Sequence, residues 1–355
     1  MWFLLAGAMG GGIVATLKDI SRHLNLSVTQ VSRALNDHSD VNEDTRRKVK
    51  EAARVLKYQP NITARKLASG RSGMVGLVMT HNPDLGADGM WLEIVSGLST
   101  QFSGRGMQFV LHVAQPSDSI LPTYQKLISA GSLDGFVLVE PYAHDMRTEF
   151  LSALQVPFVV HGRVMTRSDY PYYDIDNHGL AYESTRFLIG RGHRRIANIN
   201  GLEHRSYVEA RNTGYRAALQ DAGLAIDPGL IRHGVMTAAA GLVNTVQLFG
   251  GAGPHPTAVI CANLLIAQGV YQSLAALGLS IPGDVSVIAH DDALTGVHDS
   301  AFFPALTVTR SPLRDSWQPL AEYLTGAIEG KPLAELQKIG HYQFIERSST
   351  GPAKS

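Results

Sequence analysis

The stretch Ser27-Val-Thr-Gln-Val-Ser-Arg-Ala-Leu-Asn36 has the apolar spacing of a short helix, with Val31, Ala34 and Leu35 on one side. The other side is unusual. Val28, Thr29, Ser32, Arg33 and Asn36 are short or hydrogen-bonding, where a solvated helix more often carries Glu and Lys. Short residues at a helix start allow close approach to base edges in the major groove. An arginine there can fork onto guanine O6 and N7, a contact worth about 1–3 kcal/mol of discrimination. The same face would also suit an ordinary small bundle, and residue types alone leave that open.

The surrounding elements are those needed to present such a face. Thr16-Leu-Lys-Asp19 and Ser27-Val-Thr-Gln30 both pair a hydroxyl with an acid or amide three residues on, the pattern of a helix start. Apolar residues recur at Leu17, Ile20, Leu24 and Leu26, with only Asn25-Leu26 as a turn. Asn42 caps a third helix. Glu43 and Asp44 sit in its positive first turn, and Val49, Ala52, Ala53 and Leu56 form its buried stripe. Helix, tight turn, helix and supporting helix make a helix-turn-helix over residues 16–60. The charge agrees. Thr16 to Arg71 hold twelve Lys/Arg against six Asp/Glu, while the chain as a whole balances at 31 of each. A basic module on an acidic body implies a polyanionic partner.

The 355 residues of the whole chain are 45% hydrophobic and 17% charged, enough for two or three folded units. The lone cysteine, Cys261, excludes an internal disulfide and reads as a core residue in a reducing compartment. Residues 1–15 are apolar, glycine-rich and uncharged. They lack the basic start of a signal peptide, and Trp2–Met9 is too short to span a bilayer. They read as a disordered extension or a misplaced start, with Met9 or Val14 as the alternative beginning.

From Met74 onward short apolar runs alternate with amphipathic stretches. Strand candidates are Met74–Met79, Phe109–Val113, Gly135–Val139, Phe158–Val160, Ile196–Ile199, Ala258–Cys261, Val285–Ala289 and Leu306–Thr309. Helical periodicity falls between many of them, as in Val208–Ala222 and Ile266–Leu277. This alternation predicts doubly wound α/β architecture with parallel sheets, and the strands are too many for one comfortable sheet. Two lobes follow over residues 74–350, joined to the basic module by a linker at 61–73. Ligands in such folds sit beyond the carboxyl ends of strands. His161 and Arg163, Asn263, and Asp291 with Asp292 all follow strand candidates, and Trp91 offers a flat aromatic face for stacking.

The run Thr16-Leu-Lys-Asp-Ile-Ser-Arg-His-Leu-Asn-Leu-Ser-Val-Thr-Gln-Val-Ser-Arg-Ala-Leu-Asn36 resembles the N-terminal signature of the lac repressor/galactose repressor family. Val41-Asn-Glu-Asp-Thr-Arg-Arg-Lys-Val49 and Leu56-Lys-Tyr-Gln-Pro-Asn61 follow the same pattern. Arg191-Gly-His-Arg-Arg-Ile196, Arg211-Asn-Thr-Gly-Tyr215 and Ile281-Pro-Gly-Asp-Val-Ser-Val-Ile288 match landmarks of its body, so the resemblance spans residues 16–350. It implies a homodimer on a near-palindromic operator, with a periplasmic-binding-protein-like body whose chain crosses between lobes near Asp176, Thr309 and Lys331. The implied DNA contacts are Thr16, Ser27, Val28, Thr29, Ser32, Arg33 and Asn36. Of these, Val28 and Thr29 take the specificity positions, Arg33 reads a base and Asn36 lies on the phosphate side. Asn61, Ala64 and Leu67 belong to a hinge helix that orders on DNA, with Leu67 as a minor-groove wedge. In the cleft the resemblance implies Arg211 as the residue gripping hydroxyls and Asp291 as the cleft aspartate, with Asp292 beside it.

The chain departs from the pattern in the cleft. Asn263-Leu264 stands where Asn-Asp is frequent, and Ala289-His290-Asp291-Asp292 where many members have Gly-Phe-Asp-Asp. His161-Gly162-Arg163 replaces an aspartate-containing turn. The last two variants resemble members associated with α-glucosides. No nucleophile elbow or phosphate loop occurs, and the 14 histidines lack metal-ligand spacing, so no catalytic residue, cofactor or metal is expected. A transport binding protein would share the body but have no use for residues 16–73. A ligand-independent nucleoid protein would share the module but show no response to small molecules.

Overall fold

The computed structural model describes residues 15–35, 37–58, 71–80, 89–115, 119–164 and 168–354. Asn36, Asn61, Ala64 and Leu67 of the expected DNA contacts lie outside them, as do residues 1–14. The chain divides into two compact units at Ser72/Gly73.

The first unit contains three helices, α1 (Leu17–Leu24), α2 (Val28–Leu35) and α3 (Glu43–Val55). Each start is fixed by the residues the sequence singles out. The Asp19 carboxylate accepts from the Thr16 N–H at 2.8 Å and its hydroxyl at 2.7 Å. Gln30 Oε1 accepts from the Ser27 N–H at 3.0 Å, and Ser27 Oγ accepts from the Gln30 N–H at 3.1 Å. Asn42 Oδ1 accepts from the Asp44 N–H at 2.8 Å. Asn25 ends α1 in the left-handed region, which asparagine tolerates, and so allows the tight turn. Ile20, Val31, Ala34, Val49 and Ala52 form the core, with Leu24, Leu26 and Leu56 packed around them. The core spans all three helices, so α2 is held by packing rather than by its own weak propensity.

The second unit is built on two six-stranded sheets. The first has β1 (Met74–Thr80), β2 (Gln108–Ala114), β3 (Gly135–Val139), β4 (Phe158–His161), β5 (Tyr172–Ile175) and β11 (Gln337–Gly340). Its order is β11-β5-β4-β3-β1-β2, all parallel. The second has β6 (Ile196–Asn200), β7 (Ile231–His233), β8 (Ala258–Cys261), β9 (Ser286–Asp291), β10 (Thr307–Arg310) and β12 (Gln343–Ile345). Its order is β12-β10-β9-β8-β6-β7, with only β12 antiparallel. Helices α4 (Met90–Ser103), α5 (Ile120–Ser129), α6 (Met146–Ala153) and α11 (Trp317–Glu329) serve the first lobe. Helices α7 (Asn177–Gly190), α8 (Ser206–Asp221), α9 (Ala238–Phe249) and α10 (Leu264–Ala276) serve the second. The central strands read as continuous apolar runs because both faces are covered. Two helix pairs, α7 with α8 and α9 with α10, approach closely at glycine. A Cβ on Gly214 would strike the His178 carbonyl, and one on Gly269 the Ala238 carbonyl.

Two of the three expected crossings fall at the expected places, between β5 and α7 and just after β10. The third is displaced. Gly330 ends α11 with φ +80°, and the chain returns along the edge of β5 as β11 in the same lobe. The crossing therefore comes at His341-Tyr342, between β11 and β12, and not near Lys331.

Candidate functional site

The cleft is lined from both lobes by residues at the carboxyl ends of strands. Glu140 and Pro141 follow β3, His161 ends β4, and Asp174 and Ile175 end β5. From the second lobe come Tyr207 and Arg211 of α8, Ala262 after β8, Asp292 after β9, and Ser311 to Leu313 after β10.

Arg211 is fixed by a polar relay. Its Nε donates to Asn177 Oδ1 at 2.9 Å and its Nη1 to the Ala262 carbonyl at 2.9 Å. Asn177 donates in turn to Asp174 Oδ1 at 3.2 Å, and Asp174 Oδ2 accepts from Arg163 Nε at 3.3 Å. The second terminal nitrogen of Arg211 has no protein partner among the described residues. Burial lowers the Arg211 pKa, and Asp292, Tyr207 and Asp174 oppose that shift. Tyr207, one turn earlier on α8, lays its ring 5.3 Å from the guanidinium carbon. A desolvated, preset guanidinium with a free donor is suited to gripping hydroxyl oxygens.

Three ionisable groups face it. Burial raises Asp174 to about 6, against the pull of Arg163. Burial pushes the His161 imidazole down to about 4, although Asp292 opposes this. His161 is therefore neutral near pH 7, stacked at 6.5 Å on Tyr173 and tilted at 6.4 Å against Trp317. That indole sits on Gly97, where any Cβ would collide with it. Burial would raise Asp292, but His290, Arg211 and His161 outweigh it and hold the carboxyl below its ordinary value. Near pH 7 the chamber thus offers the Arg211 guanidinium, the Asp174 and Asp292 carboxylates and a neutral imidazole, a set of donors and acceptors suited to the hydroxyls of a polyol.

Not every expected cleft residue faces it. Asp291 does not line the cleft. Its Oδ1 accepts from the Ala293 N–H at 2.7 Å and its Oδ2 lies 3.6 Å from Arg310 Nε. Strand alternation turns the last residue of β9 away and gives the cleft position to Asp292. Asn263 is spent as the cap of α10, accepting from the Ile266 N–H at 2.9 Å and donating to the Met236 carbonyl at 3.1 Å. Arg163 stands behind the wall, holding Asp174. Trp91 lies in a wider outer compartment. Sequence reading did not single out Asp174, Asn177, Glu140, Arg205 or Tyr207. The i, i+4 spacing of Tyr207 and Arg211 was an available signal, whereas Asp174 lies in a strand too short and polar to announce itself.

At the mouth the lobes are tied. Arg205 Nη1 donates to the Glu140 carbonyl at 2.5 Å, and its guanidinium lies 4.2 Å from the Tyr142 ring centroid. The Ser206 N–H donates to the Pro141 carbonyl at 2.9 Å, and the Ala143 N–H to the His204 carbonyl at 2.8 Å. Across the cleft the Thr295 N–H donates to Glu93 Oε1 at 2.5 Å.

In the first unit, Val28 and Thr29 are exposed on α2, with Ser32 partly so. Arg33 pairs with Asp40 at 2.5 Å, both side chains about half exposed. A pair so exposed is worth little, so Arg33 can exchange Asp40 for another acceptor.

Two family models match. Residues 16–61 match bacterial regulatory proteins of the lacI family, and residues 185–350 match the periplasmic binding protein-like domain. The HTH-type transcriptional regulator AglR of Rhizobium meliloti (strain 1021) is 39% identical over 95% of this chain and 94% of its own. The chain belongs to the lacI family. It is a DNA-binding transcriptional regulator, as are the relatives it matches, and they are not enzymes. RafR of Escherichia coli is 33% identical over 78% of this chain and 81% of its own. The structure of the transcriptional regulator CelR–cellobiose complex is 29% identical with a TM-score of 0.68, covering 94% of this chain and 99% of that one. The lac repressor dimer bound to operator and the anti-inducer ONPF shares the fold, with a TM-score of 0.75 at 23% identity over 95% and 99%.

Proposed function

We propose that this regulator represses genes of carbohydrate uptake or catabolism, and that a small sugar of the α-glucoside class, bound between the lobes, controls its operator affinity. The observation that carries the reading is the Arg163–Asp174–Asn177–Arg211 relay, which aims a guanidinium donor into a chamber shared with Asp292 and neutral His161. The cellobiose complex of a relative with the same fold supports a sugar-sized occupant. His161-Gly162-Arg163 and Ala289-His290-Asp291-Asp292 support the glucoside class.

The protein acts in the cytoplasm as a homodimer, one helix-turn-helix per half-site. No helix among the described residues is long and apolar enough to cross a membrane. Val28, Thr29 and Arg33 read bases, with Thr16, Ser27, Ser32 and Asn36 setting register. Residues 61–73 act as the hinge, with Ala64 allowing close pairing and Leu67 wedging the minor groove. Sugar binding changes the lobe angle, shifts hinge pairing and releases DNA. A gel-shift titration of Leu67→Gly tests the hinge. Tight operator binding is expected to disappear, and unchanged affinity contradicts the assignment.

A further inference from the structure

We propose that His290 is a positioning residue for the effector site, holding Asp292 by one carboxylate oxygen so that the other serves the chamber as a preset hydroxyl acceptor. This rests on the sugar reading above and deepens it, because it names what makes the site selective for one ligand hydroxyl.

His290 is an unusual residue for its place in the fold. Ile288, two residues earlier on the same face of β9, packs into an apolar cluster with Leu188 and Tyr215. Many members of the family carry Phe where this chain has His290. The residue is only 2% exposed, so both ring nitrogens need partners inside the protein. The parallel pairing of β9 with β10 sets Thr309 beside it, and Thr309 Oγ1 lies 3.0 Å from Nδ1. With that hydroxyl as donor, the proton of a neutral imidazole sits on Nε2. Nε2 lies 3.3 Å from Asp292 Oδ1, short of hydrogen-bond alignment, and reaches no other acceptor among the described residues. A buried N–H is costly to leave unpaired, so a small turn of the carboxylate toward it is favoured.

The Asp292 backbone is already held, its carbonyl accepting from the Leu313 N–H at 2.8 Å. What remains to be set is the carboxylate, and His290 sets it. Asp292 lines the chamber, and its Oδ2 accepts no hydrogen bond among the described residues. Burial would raise the Asp292 pKa, and His290 is foremost among the groups that outweigh burial. The chamber therefore has two preset arms. Arg211, held by Asn177 and the Ala262 carbonyl, is the donor. Asp292, held by His290, is the acceptor. A site built to pair with a ligand hydroxyl strongly rejects the analogue that lacks it.

Calorimetry on the full-length protein tests this with methyl α-glucoside, maltose and their monodeoxy analogues. His290→Phe keeps the ring volume and removes the donor, whereas His290→Gln keeps a terminal N–H. In the native protein, removal of one particular hydroxyl should weaken binding about ten-fold or more, as loss of a bond to a charged acceptor does. His290→Phe should erase most of that discrimination, and His290→Gln should retain it. With Asp292→Asn already in place, His290→Phe should change nothing further, a result that a merely structural role would not give. Nitrogen NMR of the histidine-labelled native protein should show His290 as the Nε2–H tautomer. Discrimination that survives His290→Phe, that is lost equally in His290→Gln, or that His290→Phe alters as much beside Asp292→Asn overturns the proposal. So does a His290 proton on Nδ1 alone, which decides the matter even if the Phe variant fails to fold. If the native protein binds no carbohydrate, the sugar reading itself fails and the positioning role falls with it.

Discussion

Replacing Arg211 by lysine probes the cleft while keeping its charge. The native guanidinium divides its donors: Nε to Asn177, Nη1 to the Ala262 carbonyl, and Nη2 free toward the ligand. A lysine nitrogen cannot reach three directions fixed in one plane, so the ligand-facing donor is lost first. A hydrogen bond to a charged group contributes about 1.5–3 kcal/mol, which corresponds to roughly a 10- to 100-fold loss of effector affinity. One buried acceptor, Asn177 Oδ1 or the Ala262 carbonyl, also loses its donor, at a cost of about 1–3 kcal/mol in stability. That lowers the melting temperature of the body by several degrees, at about 2–4 °C per kcal/mol for a unit of this size. Operator binding without effector stays the same, because Arg211 touches only the cleft. Calorimetry reads the effector and fluorescence anisotropy reads the operator. Unchanged effector affinity with a folded body, or loss of operator binding without sugar, refutes the assignment.

Other outcomes follow from the same geometry. Ile20 is fully buried in the three-helix core, and Ile20→Ala should cost about 2–5 kcal/mol; a module this small has little more than that, so operator binding is lost while calorimetric effector binding persists. Arg33→Ala should relax discrimination at one base pair by about 1–3 kcal/mol, seen as a flattened preference in a competition assay with single-base operator variants. His161 is held at about 4 by burial, whereas in the unfolded chain it titrates near 6.5. The unfolded state therefore takes up the proton first, and the stability contributed above pH 6.5 is lost as pH falls toward 4. Asp174, raised to about 6, binds its proton first in the folded state and offsets part of that loss below pH 6. His161→Gln should accordingly flatten the fall in urea midpoint between pH 7.5 and pH 5, and identical acid sensitivity in both proteins contradicts this.

What could be read from the chain depended on how each residue is held. The helix-turn-helix was legible because its caps are local: Thr16 with Asp19, Ser27 with Gln30, and Asn42 over α3 are all short-range bonds. The buried strands were legible as apolar runs, Met74–Thr80 and Ala258–Cys261 among them. The edge strands were not. Gln337–Gly340 and Gln343–Ile345 are short and polar on one side, and they are strands only because β5 and β10 offer them edges. The same limit moved the third crossing from Lys331 to His341-Tyr342. In the cleft, Arg211 was found but its orienting partners were not, because Asn177 and Asp174 reach it across 34 residues or more of chain. Asp291 and Asp292 could not be told apart until the end of β9 fixed which one faces inward.

The central claim is that one chain couples operator DNA to a sugar in its cleft. Fluorescence anisotropy of DNA from upstream of the gene, titrated with full-length protein at fixed salt, tests it directly when repeated with a panel of mono-, di- and trisaccharides. The account predicts tight binding that one neutral glucoside releases and that Arg211→Lys makes far less responsive. Tight binding indifferent to every sugar would contradict the effector reading, and no binding with or without sugar would contradict the account as a whole.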